Sequence, residues 1–453
     1  MAQVYPFRAF RYNPEAAHAP FERLLTQPYD KISPAMQEKY YALDPHNLIR
    51  IEKGTAYPAD SPQDNVYTRA AEALRHWTAK SIVAQDPSPA FYGYTQEYTV
   101  PGTAQQRTRR GFIGAGKLEE YSAGVIFRHE HTLSGPKVDR LQMLRHTHTH
   151  TGQLFMLYSD AERRVDKILE DAESSAAPAT EMRDEYGVMH RLWVFSQPEE
   201  RVAAIQAGMA DQKLVIADGH HRYETALNYR NECRALAGRL IPDAPYERAM
   251  MTFVNTRSAG LTILPTHRVA SHLHDFHWTE VRRYLEPWFT ADEFPFSDDR
   301  SKAEARQEFF SRLAQARDRR AIGAYPAAQD GKRAFYLLLL RPGANLAGLL
   351  PGVSPLQREL DVVLLHEGIL EPALGITPQS VSAEANLTYE REAGAALDAV
   401  DQGEAQIAFL LNACDVEQVV KIATSGEVMP QKSTDFFPKL LSGITMYRVD
   451  GAA

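Results

Sequence analysis

A chain of 453 residues with 44% hydrophobic and 24% charged residues has a globular composition and is too long for one ordinary core, so two or three domains are expected. The formal net charge of −8, with acidic and basic residues interspersed, argues against nucleic acid as a main partner, because neutralising phosphate dominates that affinity. No apolar run approaches the roughly 18 residues that span a bilayer, no signal-peptide h-region opens the sequence, and Cys233 and Cys414 make no disulfide framework, so a cytoplasmic protein with no membrane partner is expected.

Residues 1–125 read as an α+β region. Arg8 to Tyr12 is a strand, Gln27-Pro-Tyr-Asp30 a loop, and Ser33 caps a helix with Pro34 in its first turn. Asn47 to Ile51 reads as the next strand. Val66, Ala70, Leu74 and Trp77 fall on one face of a helix over 64–80. Segments 90–100 and 109–119, rich in aromatic and β-branched residues and joined across Pro101-Gly-Thr103, read as a hairpin.

Residues 126–270 form the expected core. Arg128-His-Glu-His-Thr132 is dense in chemistry, and Glu130 reads equally as a base at an element end facing a cleft or as a surface carboxylate. Pro136 opens a helix carrying Lys137, Asp139 and Arg140 in its first turns. In His146-Thr-His-Thr-His150, strand alternation would put three imidazoles on one face and a helix would pair His146 with His150; either arrangement suits zinc, and a merely polar patch suits the pattern too. Strands at 152–158 and 190–195 alternate with helices at 161–172 and 197–209, which argues for a mixed or partly parallel sheet. Strands at 250–254 and 261–263 lead into a loop, Leu264-Pro-Thr-His-Arg268, that offers Thr266, His267 and Arg268 together.

The organising stretch is Lys213 to Leu227. Leu214, Val215 and Ile216 are the apolar run of a buried strand, and a helical pattern runs from the polar cluster after it to about Leu240. Gly219 is the joint, free to take positive φ and to let a ligand approach. The helix beyond it presents unpaired N–H groups and a partial positive charge, the geometry that suits phosphate. Arg222 adds a bidentate cation, Asp218 a ligand for a metal ion or a hydroxyl, and His220 and His221 phosphate contacts or proton carriers. A structural turn capped by Asp218 is the plainer alternative.

Residues 271–453 read as a further α+β region. Helices are expected at 279–288, 301–316, 357–369 and 416–424, and strands at 334–340 and 407–411. The last loop, 429–443, carries Lys432, Ser433 and Thr434 between Pro430 and Pro438; it is expected to return to the site and wrap an anion, a C-terminal polar arm being the alternative.

The blocks Gln27-Pro-Tyr-Asp30, Arg110-Gly-Phe112, His129-Glu130, Lys137-Val-Asp-Arg140, Ala217 to Glu224, Leu264 to Arg268 and Met429 to Thr434, in this order, resemble the prokaryotic family called domain of unknown function 1015. His129-Glu130, Asp218-Gly-His-His-Arg222 and Pro430-Gln-Lys-Ser-Thr434 also resemble the free serine kinases, nucleotide-dependent enzymes on a ParB and sulfiredoxin-like fold. That resemblance implies a glutamate base on the acceptor hydroxyl and a DGHHR turn that binds nucleotide phosphates with Mg²⁺. Gln431 is an extra residue against the kinase pattern, and His221 stands before Arg222 where sulfiredoxins carry their cysteine.

The expectation is therefore an α+β protein with a ParB/sulfiredoxin-like nucleotide-binding core, acting as a kinase from ATP or ADP to the hydroxyl of a small metabolite. Glu130, Asp218 and His221 are the catalytic candidates, with Asp218 on Mg²⁺. Gly219, His220, His221, Arg222, Lys137 and Arg140 would hold the nucleotide. Lys432, Ser433, Thr434, Thr266, His267, Arg268, Tyr29 and Asp30 would hold the acceptor, and a homodimer is compatible with the pattern. A ParB-like nucleotide-binding regulator without turnover is the alternative, and metal-dependent hydrolysis at His146 to His150 a third.

Overall fold

The computed structural model describes residues 1–130, 134–196, 199–382 and 385–450. Its polypeptide forms two compact units, residues 1–262 with 436–453, and residues 263–435. These boundaries differ from divisions at 125/126 and 270/271. The expected hairpin and the expected core share one sheet, so no boundary separates them.

Among the described residues, nine strands of the first unit make that sheet: β1 (Val4–Tyr5), β2 (Phe91–Thr99), β3 (Gln106–Lys117), β4 (Ile126–Phe127), β5 (Leu154–Tyr158), β6 (Thr180–Arg183), β7 (Met189–Phe195), β8 (Leu214–Asp218) and β9 (Arg248–Asn255). Their order is β4-β8-β5-β9-β3-β2-β7-β6, with β1 paired to β3. β2 and β3 form the expected antiparallel hairpin, from Tyr92 opposite Ile113 to Thr99 opposite Gln106. The sheet is mixed, as alternation with helices suggested: β4 with β8 and β5 with β9 run parallel, and the other pairs antiparallel.

Phe91, Phe112, Met156, Ile216, Tyr223, Met251 and Phe253 belong to the buried apolar cluster on this sheet, and the Phe112 and Phe253 rings stack at 4.9 Å. Helices α1 (Pro34–Leu43), α2 (Ile49–Glu52), α3 (Val66–Ala79), α4 (Ser134–Thr147), α5 (Arg164–Ser175), α6 (Glu199–Met209) and α7 (His220–Ala237) complete the unit's main elements. Ser33 caps α1 by accepting the N–H of Met36, and α3 buries Ala70, Leu74 and Trp77 as its periodicity predicts. Residues 47–51 correct the expected strand. Asn47 Oδ1 accepts the Ile49 N–H at 2.9 Å and turns the chain into α2, since a short apolar run buried on all sides has no period to separate helix from strand. His131 and Thr132 of the histidine-rich window, and Gln197 at the expected start of α6, lie outside the described residues.

The second unit holds a six-stranded sheet of described residues: β10 (His267–Ala270), β11 (Phe289–Pro295), β12 (Ala321–Pro326), β13 (Ala334–Leu340), β14 (Leu387–Glu390) and β15 (Ile407–Leu411), in the order β11-β13-β12-β15-β10-β14. Helices α8 (Trp278–Leu285), α9 (Asp299–Gln315), α10 (Ala393–Asp401) and α11 (Val416–Thr424) accompany it. Phe309, Phe335, Leu337 and Leu410 are in its core. Here His267 and Arg268, expected in a loop, lie in a strand flanked on both sides. Pro265 and Thr266 mark only where that strand begins.

Gly111, the glycine of Arg110-Gly-Phe112, sits in β3 between β2 and β9, and a Cβ there would meet Phe253 O at 2.4 Å and Val254 Cγ2 at 2.8 Å. That motif position is explained by packing. Gly111→Ala is expected to cost the first unit about 2–3 kcal/mol, the scale of overpacking, seen as a lower urea midpoint in the intact protein.

Candidate functional site

Two parallel strands build the site. Because β4 and β8 run in the same direction, with Leu214 opposite Ile126 and Val215 opposite Phe127, their C-terminal ends emerge at one edge of the sheet. His129-Glu130 thereby comes beside Asp218-Gly219, from a position about ninety residues earlier in the chain. On its other side β8 carries a bulge: Ile216 faces Met156 and Asp218 faces Phe155, leaving Ala217 as the extra residue. A bulge re-aims the side chain that follows it, here Asp218.

Gly219 takes φ +97 and starts α7, with no side-chain cap on the helix. The Gly219 carbonyl accepts the Tyr223 N–H at 2.9 Å, so the earlier N–H groups of the first turn face outward from the ladder. A Cβ on Gly219 would lie 3.2 Å from both Nε and Nη2 of Arg222. The positive φ favours glycine, and a Cβ there would also press on the Arg222 guanidinium.

Around Asp218 the charge is strongly one-sided. Lys439 Nζ lies 2.8 Å from Oδ2 and Arg222 Nη2 3.6 Å from Oδ1, and the charge of Lys31 also acts on the carboxylate. Burial alone would raise its pKa, but Lys439, Arg222 and Lys31 overcome it and hold the carboxyl far below its usual range. Three cations thus act on one carboxylate at a helix N-terminus without a side-chain cap, Lys31 being shared with Asp30.

His129 is fully buried, and its Nδ1 lies 2.8 Å from the Ile216 carbonyl. A carbonyl only accepts, so Nδ1 carries the proton, and burial pulls the ring's pKa down to about 4. The backbone N–H of His129 points to His220 Nε2 at 3.5 Å, and the two rings meet edge to face at 4.7 Å. His220, whose pKa burial also drives down, is thus a neutral buried ring that anchors the Glu130 segment onto α7. His221 and Glu130 are both half-buried.

The remaining first-unit candidates are spread around this centre. Lys137 Nζ lies 2.9 Å from Glu224, which Arg128 also reaches at 3.3 Å. Arg140 donates to the Glu52 carbonyl at 2.9 Å, pairs with Asp139 and lies 4.3 Å over the ring of Tyr29. Burial and Asp30 raise the Tyr29 phenol to about 12, against the opposing pull of Arg222 and Arg140. Asp30 Oδ2 is 3.9 Å from Lys31 Nζ. Next to Arg222 a cavity of about 40 Å³ is lined by Glu52, Arg140, Thr151 and Thr225.

Thr266, His267, Arg268, Lys432, Ser433 and Thr434 belong to the second unit. There the two motif blocks meet each other. Arg268, 1% exposed, reaches the carbonyls of Gln431 and Lys432, each at 3.2 Å, and its Nε lies 3.1 Å from His366. His267 Nδ1 accepts the Leu411 N–H at 3.2 Å, the Thr266 carbonyl accepts from Arg268, and the Ser433 hydroxyl donates to the Pro430 carbonyl.

The donor set does not suit a resident Mg²⁺. Asp218 is engaged by Lys439, and no group of three or more His, Cys, Asp or Glu among the described residues could hold a metal ion. His146, His148 and His150 take separate partners: the Gln142 carbonyl at 2.8 Å, the Tyr229 hydroxyl at 2.7 Å, and the face of the Tyr447 ring.

Four residues of this neighbourhood escaped the sequence reading. Lys439 lies in the last loop that drew attention to Lys432, and Lys31 directly follows Gln27-Pro-Tyr-Asp30, so both were within reach of a motif. Glu52, 2% exposed and bonded by Thr151 and by Ser442 at 3.2 Å, left no signal. Nor did Arg109, a buried guanidinium 4.6 Å over Phe155 that donates to Gln96 and to the Pro438 carbonyl.

The fold and site define a mixed α+β protein in which three cations converge on Asp218 where a strand hands over to a helix. The chain belongs to the family described as protein of unknown function (DUF1015), whose profile matches residues 4–363. No curated protein matches it. Among solved structures it is similar to a free serine kinase in complex with AMP, at 13% identity and a TM-score of 0.33 over 69% of this chain and 83% of that one. A conserved hypothetical protein from Pyrococcus furiosus matches at 13% and 0.30, over 69% and 87%. SbnI with C-terminal truncation from Staphylococcus aureus matches at 10% and 0.33, over 73% and 85%.

Asp218→Asn would remove a counter-charge that Lys439 and Arg222 share in a largely buried place, and a loss of up to about 3 kcal/mol is expected at pH 7. Because the folded carboxyl titrates below its unfolded value of about 3.9, its stabilisation is full above that pH and fades as pH falls towards the folded value. Urea unfolding between pH 6 and pH 3 should therefore show a flatter pH dependence for the variant than for the native protein.

Proposed function

We propose that the first unit binds the phosphate chain of ATP or ADP at the N-terminus of α7 and passes the terminal phosphoryl group to the hydroxyl of a small metabolite. The observation that carries this reading is the convergence of Lys439, Arg222 and Lys31 on one carboxylate at an uncapped helix start. At an effective dielectric constant of about 20, a unit charge 4 Å away is worth about 4 kcal/mol. A polyphosphate, with several negative charges, therefore competes well with Asp218 for the same cations.

In this reading Arg222 and the first N–H groups of α7 grip the phosphates, and Gly219 lets them approach. Asp218 holds Lys439 in place until the nucleotide takes over that ammonium. Glu130, fixed through His129 against His220, takes the acceptor's hydroxyl proton as its oxygen attacks the terminal phosphorus and the shortened nucleotide leaves. Mg²⁺ enters with the nucleotide, as part of the substrate. His221 at the same turn is the further candidate for contact with the phosphoryl group. The strand–glycine–helix segment within 126–270 then corresponds to a ParB/sulfiredoxin-like nucleotide core.

The test is phosphorus NMR of the protein with Mg²⁺, ATP or ADP, and a panel of hydroxyl metabolites. A new phosphate-ester resonance is expected with one acceptor. Glu130→Gln should lower turnover at least 100-fold, the usual scale for a lost base, with nucleotide affinity unchanged in calorimetry, while Arg222→Met should weaken nucleotide binding at least tenfold. Full turnover in the Gln variant would remove Glu130 as base. Nucleotide binding with no product from any acceptor would favour a sensor, and no nucleotide binding would end the reading.

A further inference from the structure

The second unit carries a cleft of its own. It opens at one edge of the six-stranded sheet, where β12 begins and its antiparallel neighbour β15 ends, with Ile322 opposite Leu411. Arg320 leads into β12, Asn412 and Cys414 follow β15, and Asp361 lies at the start of the helix Asp361–Leu365; together they line a space of about 210 Å³.

The charges around it divide into satisfied and unsatisfied groups. Arg317 pairs with Asp415, which also caps α11, Glu359 pairs with Lys421 at 3.3 Å, and Asp318 lines the space as an exposed carboxylate open to water. Cys414 donates its thiol to the Ser433 carbonyl at 3.5 Å, and burial raises its pKa to about 12, so it stays a neutral thiol. Asp361 has neither a hydrogen bond nor an ion pair from its carboxylate among the described residues. Burial lifts it to about 7 even though Arg320 and Arg317 pull the other way. Arg320 gives one N–H to the Arg358 carbonyl and pairs with no carboxylate among the described residues, and its backbone is held at φ +54 in the left-handed region.

A half-satisfied guanidinium and an unpaired carboxyl thus face one space without closing on each other. A simple anion would meet Asp361, Asp318 and Asp415, and a simple cation would meet Arg317 and Arg320. A molecule with both charges meets a partner at each end. At about 30 Å³ per water-sized group, the space takes roughly seven non-hydrogen atoms.

We propose that this cleft binds a small zwitterion of the α-amino-acid type, with its carboxylate on Arg320 and its ammonium on Asp361. The site is separate from the nucleotide cup and stands whether or not that reading holds.

Calorimetry on the intact protein at pH 8, with L-alanine, ethylamine and acetate as probes, tests it. One L-alanine per chain is expected, bound at least tenfold more tightly than either single-charge probe. Asp361→Asn and Arg320→Gln should each weaken L-alanine at least tenfold, while urea unfolding keeps the native two-unit pattern. Acetate or ethylamine binding as tightly as L-alanine, no L-alanine binding, or undiminished binding in a folded Asp361→Asn protein would each overturn the proposal. The probe comparison on the native protein decides the matter even if a variant fails to fold.

Discussion

The ion pair between Asp218 and Lys439 is the interaction on which the first unit's site depends, because it joins the end of a central strand to a segment more than two hundred residues later. Its precision comes from behind. Gln96 donates to the Lys439 carbonyl at 2.7 Å, and Arg109 donates to the Pro438 carbonyl, so two consecutive peptide groups are fixed by side chains of the β2–β3 hairpin. Arg109 accepts a large desolvation cost for this, enough to lower its pKa to about 10, and is compensated by Gln96, the face of Phe155 and the field of Asp218.

That arrangement gathers Lys31, Arg222 and Lys439 around one point. The three would repel one another, and Asp218 is a counter-charge that all of them share. The neutral pair His129 and His220 serves a different purpose. Two imidazolium ions with ring centres 4.7 Å apart in a buried place would be costly, so burial keeps both uncharged and they act as a packed joint between the β4 end and α7.

The second unit repeats this economy with another arginine. Arg268, in a strand flanked by β15 and β14, spends its donors on the carbonyls of Gln431 and Lys432, which fixes the start of the loop that the sequence marked as chemical. Buried arginines on backbone carbonyls are thus used in both units to pin a late segment of chain, Arg109 on 438–439 and Arg268 on 431–432. The planar fork of donors is what suits guanidinium to the task.

The amino-acid sequence by itself determined the local features: the Ser33 cap, the α3 stripe, the hairpin across Pro101-Gly-Thr103, and the strand–Gly219–helix junction with Asp218, His220, His221 and Arg222. These follow from period, capping and glycine chemistry, which act within a few residues. Residues 47–51 and 264–268 were misread where a short apolar or polar run had no period of its own and only its neighbours chose between helix, strand and loop. Tertiary structure alone decided that β4 runs parallel to β8, which brings His129 against the Ile216 carbonyl and His220, and that Lys439 is the lysine that reaches Asp218. It also buried Glu52 and Arg109 and half-buried Asp361, through parts of the chain far away in sequence. Strand direction, register and desolvation belong to the assembled sheets, and no window of sequence contains them.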